Sequence, residues 1–228
     1  MNRNYQKELD SIIADIAKSG IKKKLLLHVC CAPCSSYCLT YLANYFDIVT
    51  DFYNPNIAPI EEFNKRADEF KRFVSAISRE DSGVFSGNTD ISVYISEYEP
   101  EKFYEIAKGL ETVKEGGERC FKCYRLRMEH AAKMAAKTGA DYFTTTLSIS
   151  PLKNAAKINE IGEELAAIYG IPHLPSDFKK REGYKRSIEL SNNSEEIKKD
   201  NLNNPSDNYL NLLPELNYEI KEEDNTYN

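Results

Sequence analysis

A short apolar run that leads straight into a group of cysteines limits the possible folds of this chain more than any other feature. Residues 25–27 are all leucine, and with Val29 they form a run typical of a strand buried on both faces of a parallel sheet. Four of the six cysteines lie within the next residues, 28–38, and they are Cys30, Cys31, Cys34 and Cys38. Because open α/β sheets bind their ligands at the carboxyl ends of their strands, we predict that these cysteines lie in the functional crevice.

Strand-like and helix-like segments alternate along residues 1–190. Strands are predicted over residues 25–29, 47–53, 91–95, 141–147 and 171–174. Helical periodicity covers residues 4–19, 36–45, 61–77, 103–110, 118–137 and 154–169. This alternation predicts an α/β fold with a doubly wound parallel sheet and helices on both faces. We expect one catalytic domain over residues 1–190 and a flexible tail over residues 191–228, where ten of 38 residues are asparagine.

The net charge of the chain belongs to its last segment. The total is −6, and residues 191–228 hold nine acidic and three basic side chains, so residues 1–190 are neutral. A neutral body with local basic clusters keeps nucleic acid open as a partner. The sequence has no apolar run long enough for a membrane helix, and its polar start lacks the apolar region of a signal peptide. We therefore expect a cytoplasmic protein, whose clustered cysteines bind metal or perform redox chemistry.

Two cysteine pairs far apart in the sequence are candidates for one metal site. Cys120 and Cys123 are three residues apart at a predicted helix start, so they share a face. The Cys-x-x-Cys pattern is used by zinc, iron–sulfur and dithiol redox sites. Adjacent cysteines such as Cys30 and Cys31 can both turn toward one object where a strand gives way to a helix. Four thiolates suit zinc and a four-iron cluster equally by count, and the position in the crevice favours the cluster.

Cys34 and Cys38 receive different interpretations. Cys34 lies where the next helix begins, and a helix N-terminus favours the thiolate. It is therefore a candidate fifth ligand, a ligand of a second metal, or a nucleophile. Cys38, one turn further along, is interpreted as a buried core residue.

The loop after the second predicted strand offers polar side chains at the same edge of the sheet. Tyr53, Asn54 and Asn56 suit a polar, ring-shaped ligand, although a well-made turn explains this loop equally well. Asp51 is a candidate acid or metal ligand, with a surface or capping role as the alternative. His28 is interpreted as a hydrogen-bonded core histidine, and the three threonines at 144–146 as strand formers.

Basic residues near both ends of the predicted site are candidates for phosphate contact. Lys179 and Arg181 belong to a basic segment over residues 179–186, and a solvated helix face explains it about as well. Three arginines flank the second cysteine pair and could place positive charge around an RNA backbone; they are Arg119, Arg125 and Arg127.

Five segments taken together resemble the epoxyqueuosine reductase family QueH. They are LLLHVCCAPCS at 25–35, FYNPNIAP at 52–59, ERCFKCYRLR at 118–127, FTTTLSISPLKN at 143–154 and DFKKREGYKRS at 177–187. The match runs in order through most of the chain. It implies a Rossmann-like fold of the kind found in PP-loop nucleotide enzymes. It also implies an oxidoreductase that reduces the epoxide of epoxyqueuosine in tRNA to the cyclopentene of queuosine, with electrons from a donor that the sequence does not identify.

The resemblance also assigns ligands and partners. In the family a [4Fe–4S] cluster is bound by residues that correspond to Cys30, Cys31, Cys120 and Cys123. A second iron is associated with the cluster, and the position of Cys34 is where its ligand is expected. As a mechanistic hypothesis of our own, Cys34 or Asp51 supplies that ligand or the proton for the departing oxygen, and the modified base enters the crevice unstacked from the tRNA.

One departure from the family pattern leaves an alternative open. Family members usually continue into a Tyr-Arg-Gln-x-Tyr-Cys-Gly-Cys-like segment, whose cysteines can form a redox-active disulfide, whereas no cysteine follows Cys123 here. The alternative is a non-catalytic or divergent zinc or iron–sulfur paralogue without full reductase activity. An ATP-dependent enzyme of the PP-loop type is disfavoured, because the cysteines stand where such enzymes carry a Ser-Gly-Gly-x-Asp-Ser loop.

Overall fold

The computed structural model describes residues 3–78 and 91–193 of the chain. The helices in these residues are α1 (Tyr5–Ser19), α2 (Ala32–Leu42), α3 (Ile60–Ile77), α4 (Pro100–Ala107), α5 (Glu118–Thr138), α6 (Ala155–Tyr169) and α7 (Gly183–Asn193). The strands are β1 (Lys23–His28), β2 (Phe46–Phe52), β3 (Ile91–Ile95) and β4 (Tyr142–Thr145), and a 3₁₀ turn over Thr146–Ile149 follows β4. This alternation confirms the predicted α/β class.

The four strands form one parallel sheet in the order β3-β2-β1-β4. At the carboxyl end of β1, His28 lies beside Asp51 of β2 and Thr145 of β4. The candidate residues of three different strands therefore meet at one edge, as the Rossmann-like arrangement predicts.

Two apolar layers cover the two faces of the sheet. Leu25 and Leu27 point into a core with α1, α2 and α3, whereas Leu26 points into a core with α5 and α6. All three leucines are fully buried, which stabilises the fold by about 1.5–3 kcal/mol for each side chain. The continuous apolar run of β1 thus reflects a strand covered on both sides.

Helix α5 runs back across the sheet before β4 begins. Since β4 is parallel to β1, the first turns of α5 lie at the carboxyl edge of the sheet. Cys120 and Cys123 are therefore at the same edge as the first cysteine group. Gly139 ends the helix in a left-handed conformation with φ of 66°, which a residue without Cβ adopts at low cost.

Several element boundaries differ from the sequence prediction. Helix α2 begins at Ala32 rather than at residue 36, because Pro33 is tolerated in a first turn. Strand β4 ends at Thr145, since Thr146 already belongs to the 3₁₀ turn. The predicted last strand over 171–174 is only an isolated bridge between Phe143 and His173.

The region after the predicted last strand contains a helix that is absent from the sequence-based assignment of helices. Part of the basic segment begins α7, which packs on α2 and runs to Asn193, past the predicted boundary at residue 190. The irregular segment predicted at 79–90 lies outside the described residues, as does the predicted tail from residue 194 onward.

Candidate metal centre and adjoining cavity

Three cysteines converge where β1 gives way to α2. The Sγ atoms of Cys30, Cys31 and Cys34 all lie within 4.8 Å of one another, and no other group of three or more His, Cys, Asp or Glu ligand atoms is as close in the described part of the chain. Cys30 and Cys31 are buried, and their Sγ atoms are 3.8 Å apart. Soft, closely spaced thiol ligands fit zinc or an iron–sulfur cluster and do not fit magnesium or calcium.

The turn that carries these cysteines is held by side chains from other elements. The amide Nδ2 of Asn54 donates to the backbone carbonyl of Val29 at 3.0 Å, and the Val29 amide donates to the Asp51 carbonyl at 2.9 Å. Cys31 occupies the N-cap position of α2 in an extended conformation, and Ser35 donates its hydroxyl to the Cys31 carbonyl at 2.7 Å. Adjacent cysteines can face one site because the extended N-cap breaks the regular geometry on both sides.

The three thiols differ in the direction in which their surroundings shift their pKa values. Hydrogen bonds from Cys31 and Cys34 hold the pKa of Cys30 well below its ordinary value. The hydrogen bond to Cys30 raises the pKa of Cys31 to about 12 and that of Cys34 well above its ordinary value. The expectation that Cys34 is the favoured thiolate is therefore wrong. Its helix position is as predicted, but its neighbours and its burial outweigh the helix end.

The second cysteine pair lies near this group without being part of it. Cys120 and Cys123 are buried in the first turns of α5, and the Gly116 amide donates to Cys120 Sγ at 3.3 Å. Burial raises the pKa of Cys120. Cys120 packs into the same apolar cluster as Cys30 and Cys31, whereas Cys123 packs with Phe103 of α4.

A cavity of about 60 Å³ opens beside the second pair. Cysteine sulfurs, an amide, a phenol and three basic side chains are among the groups that line it; these residues include Cys120, Cys123, Asn56, Tyr124, Arg119 and Lys153. Buried thiols thus adjoin a space large enough for a few water-sized groups.

Of the three predicted binding residues in the loop after β2, two are engaged in hydrogen bonds within the protein and one lines the cavity. Tyr53 donates its hydroxyl to Glu99 at 3.1 Å, and both ends of the Asn54 side chain are engaged by Val29 and Arg127. Asn56 lines the cavity, and its Oδ1 atom is buried without a hydrogen-bond partner among the described residues. Only Asn56 of the three presents an unoccupied acceptor.

Asp51 is fully buried and is held from two sides. The Ser96 hydroxyl donates to Oδ1 at 2.6 Å, and Nδ1 of His130 lies 2.8 Å from Oδ2. The ring of His130 also stacks on Tyr53 at a centroid distance of 3.9 Å. A plain surface role for Asp51 is excluded by its burial. His130, which has no distinguishing sequence context, emerges as its partner.

Arg127 is the residue whose role the sequence interpretation missed most clearly. It is 1% exposed, and it donates to Asn54 Oδ1 at 2.5 Å and to His28 Nε2 at 3.3 Å. The idea that Arg127 faces an RNA backbone is therefore wrong. Burial and the neighbouring Arg127 lower the pKa of His28 to about 3, so His28 is a neutral core histidine, as predicted.

The threonines at the end of β4 make polar contacts in addition to the strand-forming role predicted for them. Thr146 places its Oγ1 atom 3.5 Å from Cys30 Sγ, and Thr145 lies 2.7 Å from Nδ1 of His28. Their place at the carboxyl end of a predicted strand was the available signal. Cys38, in contrast, is a fully buried core residue, as predicted.

The basic candidates are dispersed over the surface. Lys179 pairs with Asp177 at 2.8 Å and donates to the backbone carbonyl of Lys153 at 3.4 Å, which places it behind the cavity wall. Arg181 is exposed and pairs with Asp10 of α1. Arg125 pairs with Glu164 at 2.5 Å on the surface.

Comparison with known proteins identifies the family. A sequence model described as "Epoxyqueuosine reductase QueH" matches residues 25–199. A curated protein of that name from Staphylococcus epidermidis is 47% identical over 193 residues, covering 83% of this chain and 78% of the relative. Its namesake from Thermotoga maritima is 34% identical and covers 73% of this chain and 81% of the relative.

This chain belongs to the epoxyqueuosine reductase QueH family. The family membership predicted from the five sequence segments is confirmed, and with it the prediction of an oxidoreductase. All five segments lie within the matched residues, and the first and third of them contain every cysteine of the chain except Cys38. In the described residues, no helix has the length and hydropathy of a membrane span.

Proposed function

We propose that this QueH protein reduces the epoxide of epoxyqueuosine in tRNA to queuosine, using a [4Fe–4S] cluster held by Cys30, Cys31, Cys120 and Cys123. The family match over residues 25–199 supports the reaction. The close grouping of the Cys30, Cys31 and Cys34 thiols at the carboxyl edge of the sheet is the observation that supports a metal site there.

The ligand set fits iron on chemical grounds. Iron binds thiolates, and a bound metal deprotonates its thiol ligands, so the raised pKa values of Cys31 and Cys120 do not conflict with the assignment. Cys120 shares an apolar cluster with the first pair, and Cys123 follows it by one helical turn. When bound, such a cluster supplies single electrons to a substrate in the adjoining space.

Cys34 is the residue that we propose as the ligand of a second iron. Its Sγ lies within 4.8 Å of the sulfurs of Cys30 and Cys31, so a metal at Cys34 would adjoin the first site. Asp51 is less suited to direct contact with iron or substrate, since Ser96 and His130 engage both of its oxygens. We assign Asp51 the task of holding His130.

The proposed tRNA contacts follow the same edge of the molecule. The modified nucleotide must leave the base stack to reach buried thiols. Lys179 adjoins the cavity through Lys153, and the exposed Arg181 is available for phosphate if it exchanges its partner Asp10. The reaction is proposed to take place in the cytoplasm, with electrons from a separate donor.

Metal content and turnover test this proposal together. Protein purified without oxygen is expected to hold about four iron and four sulfide ions at the cluster and to convert epoxyqueuosine to queuosine in isolated tRNA when a chemical reductant is supplied. Cys30→Ser and Cys120→Ser should lose the cluster iron, whereas Cys38→Ala should keep it, because Cys38 is a core residue. Zinc without sulfide would contradict the cluster, and an intact cluster without conversion would contradict the reductase.

A further inference from the structure

Two residues that line the cavity beside Cys120 and Cys123 each carry a buried polar atom without a hydrogen-bond partner in the described part of the chain. They are Oδ1 of Asn56 and the hydroxyl of Tyr124, and neither has a hydrogen bond within the described residues. Tyr124 is 2% exposed. A buried polar group without a partner costs about 1–3 kcal/mol, so two of them at one cavity indicate a site built for a ligand.

The two atoms require different things of a ligand. An amide oxygen only accepts, so Asn56 needs an O–H or N–H group. A phenol hydroxyl can donate, so the Tyr124 hydroxyl has a proton available for a ligand oxygen. Thiolates and inorganic sulfide only accept, so a metal cluster in the cavity would leave Asn56 unsatisfied.

A hydroxylated ring with an additional ether-type oxygen satisfies both requirements. A ring hydroxyl donates to Asn56, and the second oxygen accepts from Tyr124. The five-membered carbon ring of epoxyqueuosine carries hydroxyl groups beside its epoxide oxygen. The other polar side chains of the neighbouring loop do not compete for this task, because Asn54 and Tyr53 are bonded to Val29, Arg127 and Glu99.

We propose that Asn56 and Tyr124 form the subsite for the hydroxylated ring, in which Asn56 accepts from a ring hydroxyl and Tyr124 donates to the epoxide oxygen. This inference rests on the proposed function. Asn56 determines affinity for the ring, and Tyr124 is a catalytic residue that stabilises negative charge as it develops on the oxygen.

The reaction balances without proton loss from Tyr124. Both C–O bonds of the epoxide break, a C=C bond forms between the two carbons, and water leaves. The electron donor supplies two electrons and solvent supplies two protons. The Tyr124 hydroxyl acts only as a hydrogen-bond donor to the oxygen and is unchanged at the end, because both protons of the departing water come from solvent.

Tyr124→Phe tests the donor, because it removes one hydroxyl from the cluster-loaded enzyme. We expect kcat on epoxyqueuosine-tRNA to fall about 10- to 100-fold, with the absorption spectrum and reduction potential of the cluster unchanged. The matched control is Tyr169→Phe. Tyr169 is the last residue of α6, and its hydroxyl donates to Glu129, so this variant should keep the wild-type rate. An unchanged kcat in Tyr124→Phe would overturn the proposal. A shifted reduction potential of the cluster would also overturn it, because the Tyr124 hydroxyl would then donate its hydrogen bond to the cluster rather than to the substrate.

Asn56 variants test the acceptor by affinity. Asn56→Ala should raise KM about tenfold with little change in kcat, and Asn56→Asp, which keeps an acceptor, should restore most of the affinity. A KM that is equal in all three proteins would refute the subsite.

Direct binding separates the subsite from the reductase activity. The loaded wild-type protein should bind epoxyqueuosine-tRNA more tightly than the same tRNA without the five-membered ring, and Asn56→Ala should abolish that difference. This result in a protein that fails to make queuosine would support the subsite and sink the reductase. No preference for the ring would sink the subsite, even where queuosine forms.

Discussion

At the scale of single residues, a buried arginine fixes the geometry of the candidate site. Arg127 joins Asn54 to His28, and Asn54 in turn holds the Val29 carbonyl next to Cys30. A charged group that is 1% exposed is stable only while its partners stay in place. The cysteine turn therefore depends on a side chain that lies on α5, beside the second cysteine pair.

Arg127→Lys is expected to lower the free energy of unfolding by about 2–3 kcal/mol, because a lysine cannot serve both partners of the planar guanidinium. Urea unfolding of the metal-free protein measures this. Arg125→Lys is the matched control two residues away, and its exposed pair with Glu164 should contribute about 0.2–1 kcal/mol or less. Equal effects of the two substitutions would show that Arg127 does not hold the turn.

At the scale of secondary-structure elements, α6 packs closely enough to need a glycine in its interior. A Cβ on Gly162 would lie 2.4 Å from the His173 ring. His173 is buried, stacks edge-on against Phe143 and follows the end of α6. Helix propensity favours alanine over glycine by about 1 kcal/mol, so the close contact rather than propensity explains this residue.

A double-mutant cycle tests this contact between α6 and the segment after it. Gly162→Ala alone should destabilise the protein by about 1–3 kcal/mol through overpacking. In a His173→Ala background the same change should be neutral or stabilising, because the ring is gone. Thermal or urea unfolding of the four proteins gives the coupling, and additive effects would contradict the contact.

At the scale of the whole molecule, two buried neutral histidines make stability depend on pH. Burial lowers the pKa of His173 to about 3, and burial with the nearby Arg127 does the same for His28. Their unfolded value is near 6.5, so the unfolded chain binds more protons between pH 3 and 6.5. This share of stability is complete above pH 6.5 and is lost as the pH falls toward 3.

Each histidine should thus cost about 1 kcal/mol of stability between pH 7.5 and 5.5. Urea unfolding of metal-free wild type and His173→Leu at the two pH values measures the difference. The variant should lose about half of the histidine-dependent decrease. An unchanged pH dependence would show that His173 is not the buried neutral group assigned here.

The sequence alone determined the class of fold, the edge that carries the cysteines and the family. The reason is that these properties reside in short segments: the apolar run before Cys30, the Cys-x-x-Cys at Cys120 and the helical periods between strands. Burial on two faces demands a continuous apolar strand, and family motifs are contiguous by nature. The core assignments of His28 and Cys38 followed from the same local patterns.

Only the tertiary structure decided which side chains are engaged and which remain available to a ligand. Asn54 and Asn56 look alike in sequence, but Arg127 engages one and the other faces a cavity. The partner of Asn54 lies 73 positions away, and Arg127 lies 99 positions from His28. Proton sharing among Cys30, Cys31 and Cys34 likewise depends on distances between sulfur atoms. Such pairings arise when parallel strands and returning helices bring distant segments to one edge, which no local pattern encodes.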